Sequence, residues 1–393
     1  MEKNKYYEFG QQKFGPFLYG FVRWLKNELI RRGFEKVFFF SRDGYMMQKA
    51  FDIINDTDIV SQYVYVSRRS LRQPLIHECT DFEDSLKYLS KERYISFGKL
   101  LEYYGYDESE KLKVATEVGI NLEETMPYDE VAKNALARKL YEDSRESIVG
   151  YSREQDQFLL EYTEQLNMQG KFAIVDIGWH GNMQRYLELY MKSHGYDVSF
   201  EGFYIGILPD VELTTEVHGY IYSPQNPKPY KKLLSFFGVS EKLLQGFEGS
   251  TAGYTRIEDG LIGPKLMAYE YEGDQQVISA IQSWQSGALD YVRSCMDGVD
   301  KTNQISVDAS DEQLTKPLIR FGMKPSLKDT NLFSFFYNTD GTKAYYTAQK
   351  SLFRYRPKEL VHALADSPWK TGFMKSVFKL PLPYYLIYKI LKK

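Results

Sequence analysis

Two patterns of apolar and polar positions run along this chain: short unbroken apolar runs and longer stripes at helical spacing. Lys36–Phe40 (KVFFF) is too short for a helix, is β-branched and aromatic, and follows Gly33, so it predicts a strand buried on both faces. Upstream, Phe17, Leu18, Phe21, Val22, Leu25, Leu29 and Ile30 form one stripe with Lys26, Glu28, Arg31 and Arg32 opposite. This predicts an amphipathic helix from Gly15 that Gly33 caps. Downstream, Met47, Phe51 and Ile54 predict a second helix. The same strand, turn and helix order recurs at Phe172–Val175, with a helix running to about Ser193. Further strands are predicted at Gln62–Ser67, Ser199–Leu208 and His218–Tyr222, and a hairpin-like pair at Tyr254–Ile257 and Leu261–Leu266. Short buried strands interleaved with helices place the chain in the α/β class.

Between these strands, residues 76–169 show no strand pattern, and charged amphipathic helices are predicted at 82–89, 96–104, 110–118, 128–144 and 154–166. The expected organisation is therefore an α/β core in two parts, 10–75 and 170–266, with 76–169 as a helical insertion placed to cover a site. Residues 267–366 form a mainly helical region with a long helix at Gln275–Met296 and a polar linker at 299–311; no element is assigned across 313–355. Residues 367–393 differ from all of this. They hold no acidic residue but six lysines among Trp369, Phe373, Leu380, Leu382, Leu386 and Ile390, and Pro381 and Pro383 split them into two short amphipathic pieces. That pattern suits the surface of an anionic membrane, with docking on the chain's own core as the competing reading.

Composition narrows the functional classes. With 393 residues the chain has room for two or more domains, and a net charge of -3 argues against nucleic-acid binding as its task. Cys79 and Cys295 are too far apart in sequence for a zinc ribbon, and two cysteines do not make a disulfide scaffold. The first residues lack an apolar signal-peptide core and no apolar run of about 18 residues occurs, so a cytoplasmic protein, peripheral on the inner face of the plasma membrane, is expected.

The candidate chemistry sits at the predicted strand ends. Lys36–Phe40 leads into Ser41-Arg42-Asp43-Gly44, and Phe172–Val175 delivers Asp176, Gly178, Trp179, His180 and Gly181 into a turn before a helix. In open α/β sheets ligands bind at such strand ends. Two aspartates there suit Mg²⁺, a hard cation that takes carboxylate oxygens and substrate phosphate; the competing reading for each is a helix cap. Gly44 allows close ligand approach, and Ser67, Arg68 and Arg69 after the third strand offer hydroxyl and guanidinium groups to a phosphate. Gly246–Gly253 (GFEGSTAG) is a glycine-rich loop whose Ser250 and Thr251 are, like Gly178, further phosphate-binding candidates, with an ordinary turn as the competing reading for the loop. His180 is a candidate base, with a plain turn residue as the alternative.

The motifs SRDGY, DIGWHGNMQ and GFEGSTAGY, over roughly residues 10–265, resemble the haloacid-dehalogenase-like predicted hydrolases of bacterial capsule, O-antigen and teichoic-acid clusters. The resemblance implies a Rossmannoid, doubly wound parallel sheet with a helical cap insertion, followed by a helical C-terminal region. It gives Asp43 the acid/base place, Ser67 the phosphate-binding hydroxyl and Asp176 the metal-binding acid. Ser41 falls where the family has its nucleophilic aspartate, so ordinary phosphatase chemistry is not expected. The family's cationic residue has four candidates, Arg68, Arg69, Arg153 and Lys171. Three readings follow from the resemblance. The first is Mg-dependent phosphoryl transfer or hydrolysis on a phosphorylated sugar, polyol or nucleotide sugar, alongside polysaccharide-synthesis enzymes. The others are a glycosyltransferase with a nucleotide-sugar donor and a non-catalytic membrane-associated scaffold that binds a phosphate ligand.

Overall fold

The computed structural model describes residues 4–90, 92–197, 199–208, 211–227, 230–296, 309–340 and 342–391. The predicted first helix spans Gly15–Arg32, and Gly33 closes it in the left-handed conformation at φ 68°, donating its N–H to the Ile30 carbonyl. Phe17, Leu18, Phe21, Val22, Leu25 and Leu29 are buried along it. At about 1.5–3 kcal/mol for each fully buried large apolar side chain, this stripe contributes on the order of 10–15 kcal/mol of gross burial energy.

Strand β1 is Lys36–Phe40 and β2 is Val60–Val64, two residues earlier than the apolar run suggests. Within the insertion a short antiparallel pair, β3 (Tyr94–Ser96) and β4 (Thr125–Pro127), appears where no strand was expected. Three-residue strands are too short to show a period of two. Strands β5 (Ala173–Trp179), β6 (Glu201–Ile207) and β7 (Val217–Tyr222) follow, then the hairpins β8 (Thr251–Arg256) with β9 (Ile262–Leu266) and β10 (Tyr337–Asp340) with β11 (Thr342–Tyr345). The central sheet has the order β2-β1-β5-β6-β7, and every pairing in it is parallel. The α/β expectation thus holds, with a five-stranded parallel sheet at the centre.

Alternate residues of the central strands feed two separate cores. Val37, Phe39, Ala173, Val175, Phe203 and Ile205 join one with the helices Gly15–Arg32, Gly44–Ile54 and Gln275–Met296. Phe38, Phe40, Val64 and Ile174 join the other, whose remaining members come largely from residues 71–168 and the helix Asn182–Ser193. The insertion is therefore a structural layer on one sheet face. Its two predicted helices at 128–144 and 154–166 are replaced by a 3-10 turn at Tyr128–Lys133 and one helix, Ala135–Gln165. Gly150 costs such a helix about 1 kcal/mol, less than the packing of Ile148, Ser152, Gln155 and Leu159 on either side returns. Gln155 fastens the helix to β8, donating to the Tyr254 carbonyl at 3.1 Å and accepting from the Tyr254 N–H at 2.7 Å.

The stretch left unassigned by sequence holds the helices Asp311–Met323 and Leu327–Leu332 and the β10–β11 pair. Most of the predicted linker, residues 299–308, lies outside the described residues, as do Lys392 and Lys393. The C-terminal region behaves in two ways. Trp369 is fully buried and donates its indole N–H to the Gly322 carbonyl at 3.0 Å, and Phe373, Met374 and Val377 of the helix Lys370–Phe378 are buried with it. The first amphipathic piece thus docks on the chain's own core. No helix among the described residues is long and apolar enough to cross a membrane.

Candidate functional site

With the order β2-β1-β5-β6-β7, the sheet has its topological switch point between β1 and β5, where connections leave in opposite directions and open a crevice at the strand carboxyl ends. Both candidate aspartates belong to these two strands. Asp43 precedes the helix Gly44–Ile54 but makes no side-chain capping bond to it. Gly44 has no left-handed angle; its role is close approach, because a Cβ there would lie 2.9 Å from the Phe39 carbonyl carbon. Asp176 is still inside β5, in register with Tyr204 of β6, so the turn begins later than the sequence suggests, at His180–Gly181. The helix after that turn is capped by Gly181. Capping, the ordinary use of a strand-end aspartate, therefore accounts for neither carboxylate.

Asp176 is buried and its Oδ1 has no hydrogen-bond partner. Burial pushes this carboxyl up to about 8; Asp43 adds to the rise, while the amides of Ile177 and Gly178 and the Arg68 guanidinium oppose it. Burial likewise raises Asp43 to about 6, against the pull of Arg42 and Lys242 and with help from Glu270. A third carboxyl joins them: Glu241, on the helix Phe237–Leu244, is pushed up to about 8 by burial and by Asp43. Trp179 packs on Phe237 with ring centroids 4.3 Å apart, which seats this helix against the end of β5. Lys242 beside it is buried, lies 2.6 Å from Glu270, and is held below the usual lysine range by that burial. Arg42 reaches the same glutamate at 3.6 Å.

The donor set is made of hard oxygen atoms and includes an orphaned buried carboxylate oxygen, the donor type that Mg²⁺ takes. The oxygens of Asp43, Asp176 and Glu241 do not all lie within 4.8 Å of one another. A cation there would therefore draw on one or two of these carboxylates, with water or ligand phosphate completing its shell. The one acidic group that does meet that spacing among the described residues, Glu201, Glu216 and His218, already contains a cation. Arg32 donates to Glu201 at 2.8 Å and to Glu216 at 3.0 Å, and lies 3.2 Å from His218 Nδ1. It also sits where β6 and β7 begin, at the end of the sheet opposite Asp176.

No protein-family model matches this chain, and no curated protein matches it.

Ser41 lies at the end of β1, but its Oγ donates to the Val66 carbonyl at 3.0 Å and accepts from the Val66 N–H at 3.1 Å. Both functions of the hydroxyl are spent tying β1 to the segment after β2. Ser67 is similarly engaged: it caps the turn of helix at Arg68–Arg72 by accepting from Ser70 N–H, and donates to the Thr251 carbonyl at 2.6 Å. Arg69 turns into the insertion, donating to the Gly105 carbonyl at 3.1 Å. Arg68 is exposed and makes no hydrogen bond or ion pair among the described residues, yet its charge reaches Asp176 and Glu241. Of the other two candidate cations, Lys171 binds the Arg32 carbonyl at the far end of the sheet and Arg153 is exposed on the long helix. Lys242 is the buried cation that the sequence reading missed.

Gly178 sits at φ 115°, and a Cβ there would meet the Gly206 carbonyl oxygen at 2.0 Å, so this glycine serves the β5–β6 contact. His180 is exposed in the turn. The glycine-rich loop does reach the site, since Gly246 donates its N–H to the Arg42 carbonyl at 3.1 Å. Thr251, however, is the first residue of β8 and is buried, with Oγ1 unpartnered, while Ser250 is half-buried beside it. In the same loop Glu248 accepts a hydrogen bond from Tyr63, and Tyr45 packs edge-on to both Tyr63 and Phe247 at about 6 Å. These rings form a half-buried aromatic rim near Asp43. One local signal pointed to the missed lysine: Lys242 falls at apolar spacing between the buried Val239 and Leu243.

Proposed function

We propose that the crevice between β1 and β5 binds Mg²⁺ and a phosphorylated ligand, and catalyses phosphoryl transfer or hydrolysis on a haloacid-dehalogenase-like scaffold. The observation that carries this reading is the buried, unpartnered Oδ1 of Asp176, at the switch point of a parallel sheet and near enough to Asp43 for the two carboxyls to repel. Asp176 and Asp43 would hold the cation, which when bound offsets their mutual repulsion and the charge of the phosphate. Arg68, with no hydrogen bond or ion pair among the described residues, neutralises further phosphate charge. Asp43 takes the proton from an acceptor hydroxyl as that hydroxyl's oxygen bonds to phosphorus and the bond to the leaving group breaks. Ser41, with its hydroxyl committed to Val66, is left out of the chemistry.

The resemblance noted in the sequence directs the substrate class to sugar phosphates, polyol phosphates or nucleotide sugars of surface-polymer synthesis, handled alongside other enzymes of that synthesis. The aromatic rim of Tyr45, Tyr63 and Phe247 supports a sugar-bearing ligand, because ring faces pack against sugar C–H groups. Calorimetric titration of Mg²⁺, with and without a panel of these ligands, on wild type, Asp43→Asn and Asp176→Asn tests the reading, with phosphorus NMR to follow turnover. Metal-dependent binding that both substitutions abolish is the expected result. Equal Mg²⁺ binding by wild type and Asp176→Asn, or ligand binding and turnover unaffected by EDTA, would overturn it. Release of nucleoside diphosphate only when an acceptor sugar is present would replace it with glycosyl transfer.

A further inference from the structure

The second amphipathic piece of the C-terminal region is built differently from the first. The helix Tyr384–Leu391 spends one side on the protein: Tyr384 and Tyr388 are buried against Met374, with Leu364, Tyr385 and Ile387 around them. Its other side is also apolar and is uncovered. Leu386 is 54% exposed and Ile390 69%, four residues apart and so on one face. The turn leading into the helix continues this surface, with Phe378 at 37%, Leu380 at 54% and Leu382 at 43%. Five large apolar side chains stand open between residues 378 and 390, whereas a monomeric soluble surface leaves such residues scattered singly.

The charges among them have one sign. Lys379 and Lys389 are exposed within this stretch, and no acidic residue occurs anywhere from Ser367 to Lys393. A protein partner could cover an apolar face, but an apolar face whose own segment carries only lysine charges matches a surface that is hydrocarbon beneath and anionic on top.

We infer that the outer face of the helix Tyr384–Leu391, with the turn 378–383, is a docking surface for an anionic lipid bilayer, Leu386 and Ile390 entering the acyl boundary and Lys379 and Lys389 meeting the headgroups. The rest of the region does not take part: Trp369, Phe373 and Val377 are buried in the protein and fix the helix to it. This inference is independent of the chemistry proposed for the crevice.

Flotation of the full chain with vesicles of phosphatidylcholine alone, and of phosphatidylcholine with phosphatidylglycerol, tests it. The expected result is flotation with the anionic vesicles, weakened at least about tenfold by Leu386→Asp with Ile390→Asp. Replacing both exposed lysines by serine should reduce partitioning roughly 30-fold on anionic vesicles. All four side chains are exposed, so melting temperature and far-UV circular dichroism should not change. Failure of the wild type to float, undiminished flotation of the aspartate variant, or equal binding to neutral and anionic vesicles would each overturn the proposal. So would a concentration-dependent dimer that the aspartate substitutions abolish in a protein that binds no vesicle, since a second copy would then be the occupant.

Discussion

Replacing Asp176 by Asn removes a charge while keeping the shape of the side chain, and this isolates what the carboxylate does. Burial and Asp43 hold the carboxyl at about 8 instead of 3.8, and each tenfold change in proton affinity is worth ~1.4 kcal/mol. Ionising it in the folded, metal-free chain therefore costs up to about 6 kcal/mol. Part of that belongs to the coupled pair with Asp43, and the Asn forfeits the pull of the Ile177 and Gly178 amides, so a net recovery of about 2–3 kcal/mol is expected. The direction with pH follows from proton binding. Between about pH 4 and pH 8 the unfolded chain has lost this proton and the folded chain has kept it, so the carboxyl's stabilising contribution is fully present below pH 4, declines through this window and is gone above pH 8. Asn does not titrate. In urea denaturation after EDTA treatment, Asp176→Asn should match wild type near pH 4 and exceed it by the full margin at pH 8, while added Mg²⁺ should stabilise only the wild type at pH 8. A variant less stable than wild type at pH 8 without metal, or a metal-induced gain equal in both proteins, would refute the reasoning.

Arg68→Ala should change the melting temperature little, because the guanidinium makes no hydrogen bond or ion pair among the described residues, and should weaken phosphate-ligand binding about 10–100-fold by calorimetry, the worth of one charge-assisted hydrogen bond or two. Ser41→Ala strands the buried N–H and carbonyl of Val66, so it should cost about 1–3 kcal/mol in urea denaturation while leaving Mg²⁺ affinity intact; a selective loss of turnover with no loss of stability would return Ser41 to the chemistry. Gly178→Ala forces a methyl group onto the Gly206 carbonyl at a backbone angle reserved for glycine, and should destabilise by at least about 4 kcal/mol or yield insoluble protein on expression.

Much of the frame was legible in the chain. The stripe from Phe17 to Leu29 and the Gly33 cap defined the helix Gly15–Arg32, though not the helical turns at Lys5–Phe14 that lead into it, and KVFFF defined β1 to the residue, because helix period and buried-strand runs are local properties that survive folding. The sequence also placed Asp43 and Asp176 near strand ends. What it could not contain was adjacency. That β1 pairs with β5 across an insertion of about a hundred residues, bringing the two aspartates to one crevice, is a matter of strand order. Tertiary packing likewise decided which groups are free. Ser41, Ser67 and Arg69 look like ligand groups in sequence, but Val66, Thr251 and Gly105 from other segments consume them. Glu241 and Lys242 look like solvated helix charges until the Trp179–Phe237 contact presses their helix onto the site. The same division runs through the C-terminal region, where one lysine-rich aromatic pattern yields a core helix at 370–378 and an open face at 386–390. Periodicity fixes which side chains share a face; only the remainder of the fold determines whether that face is covered.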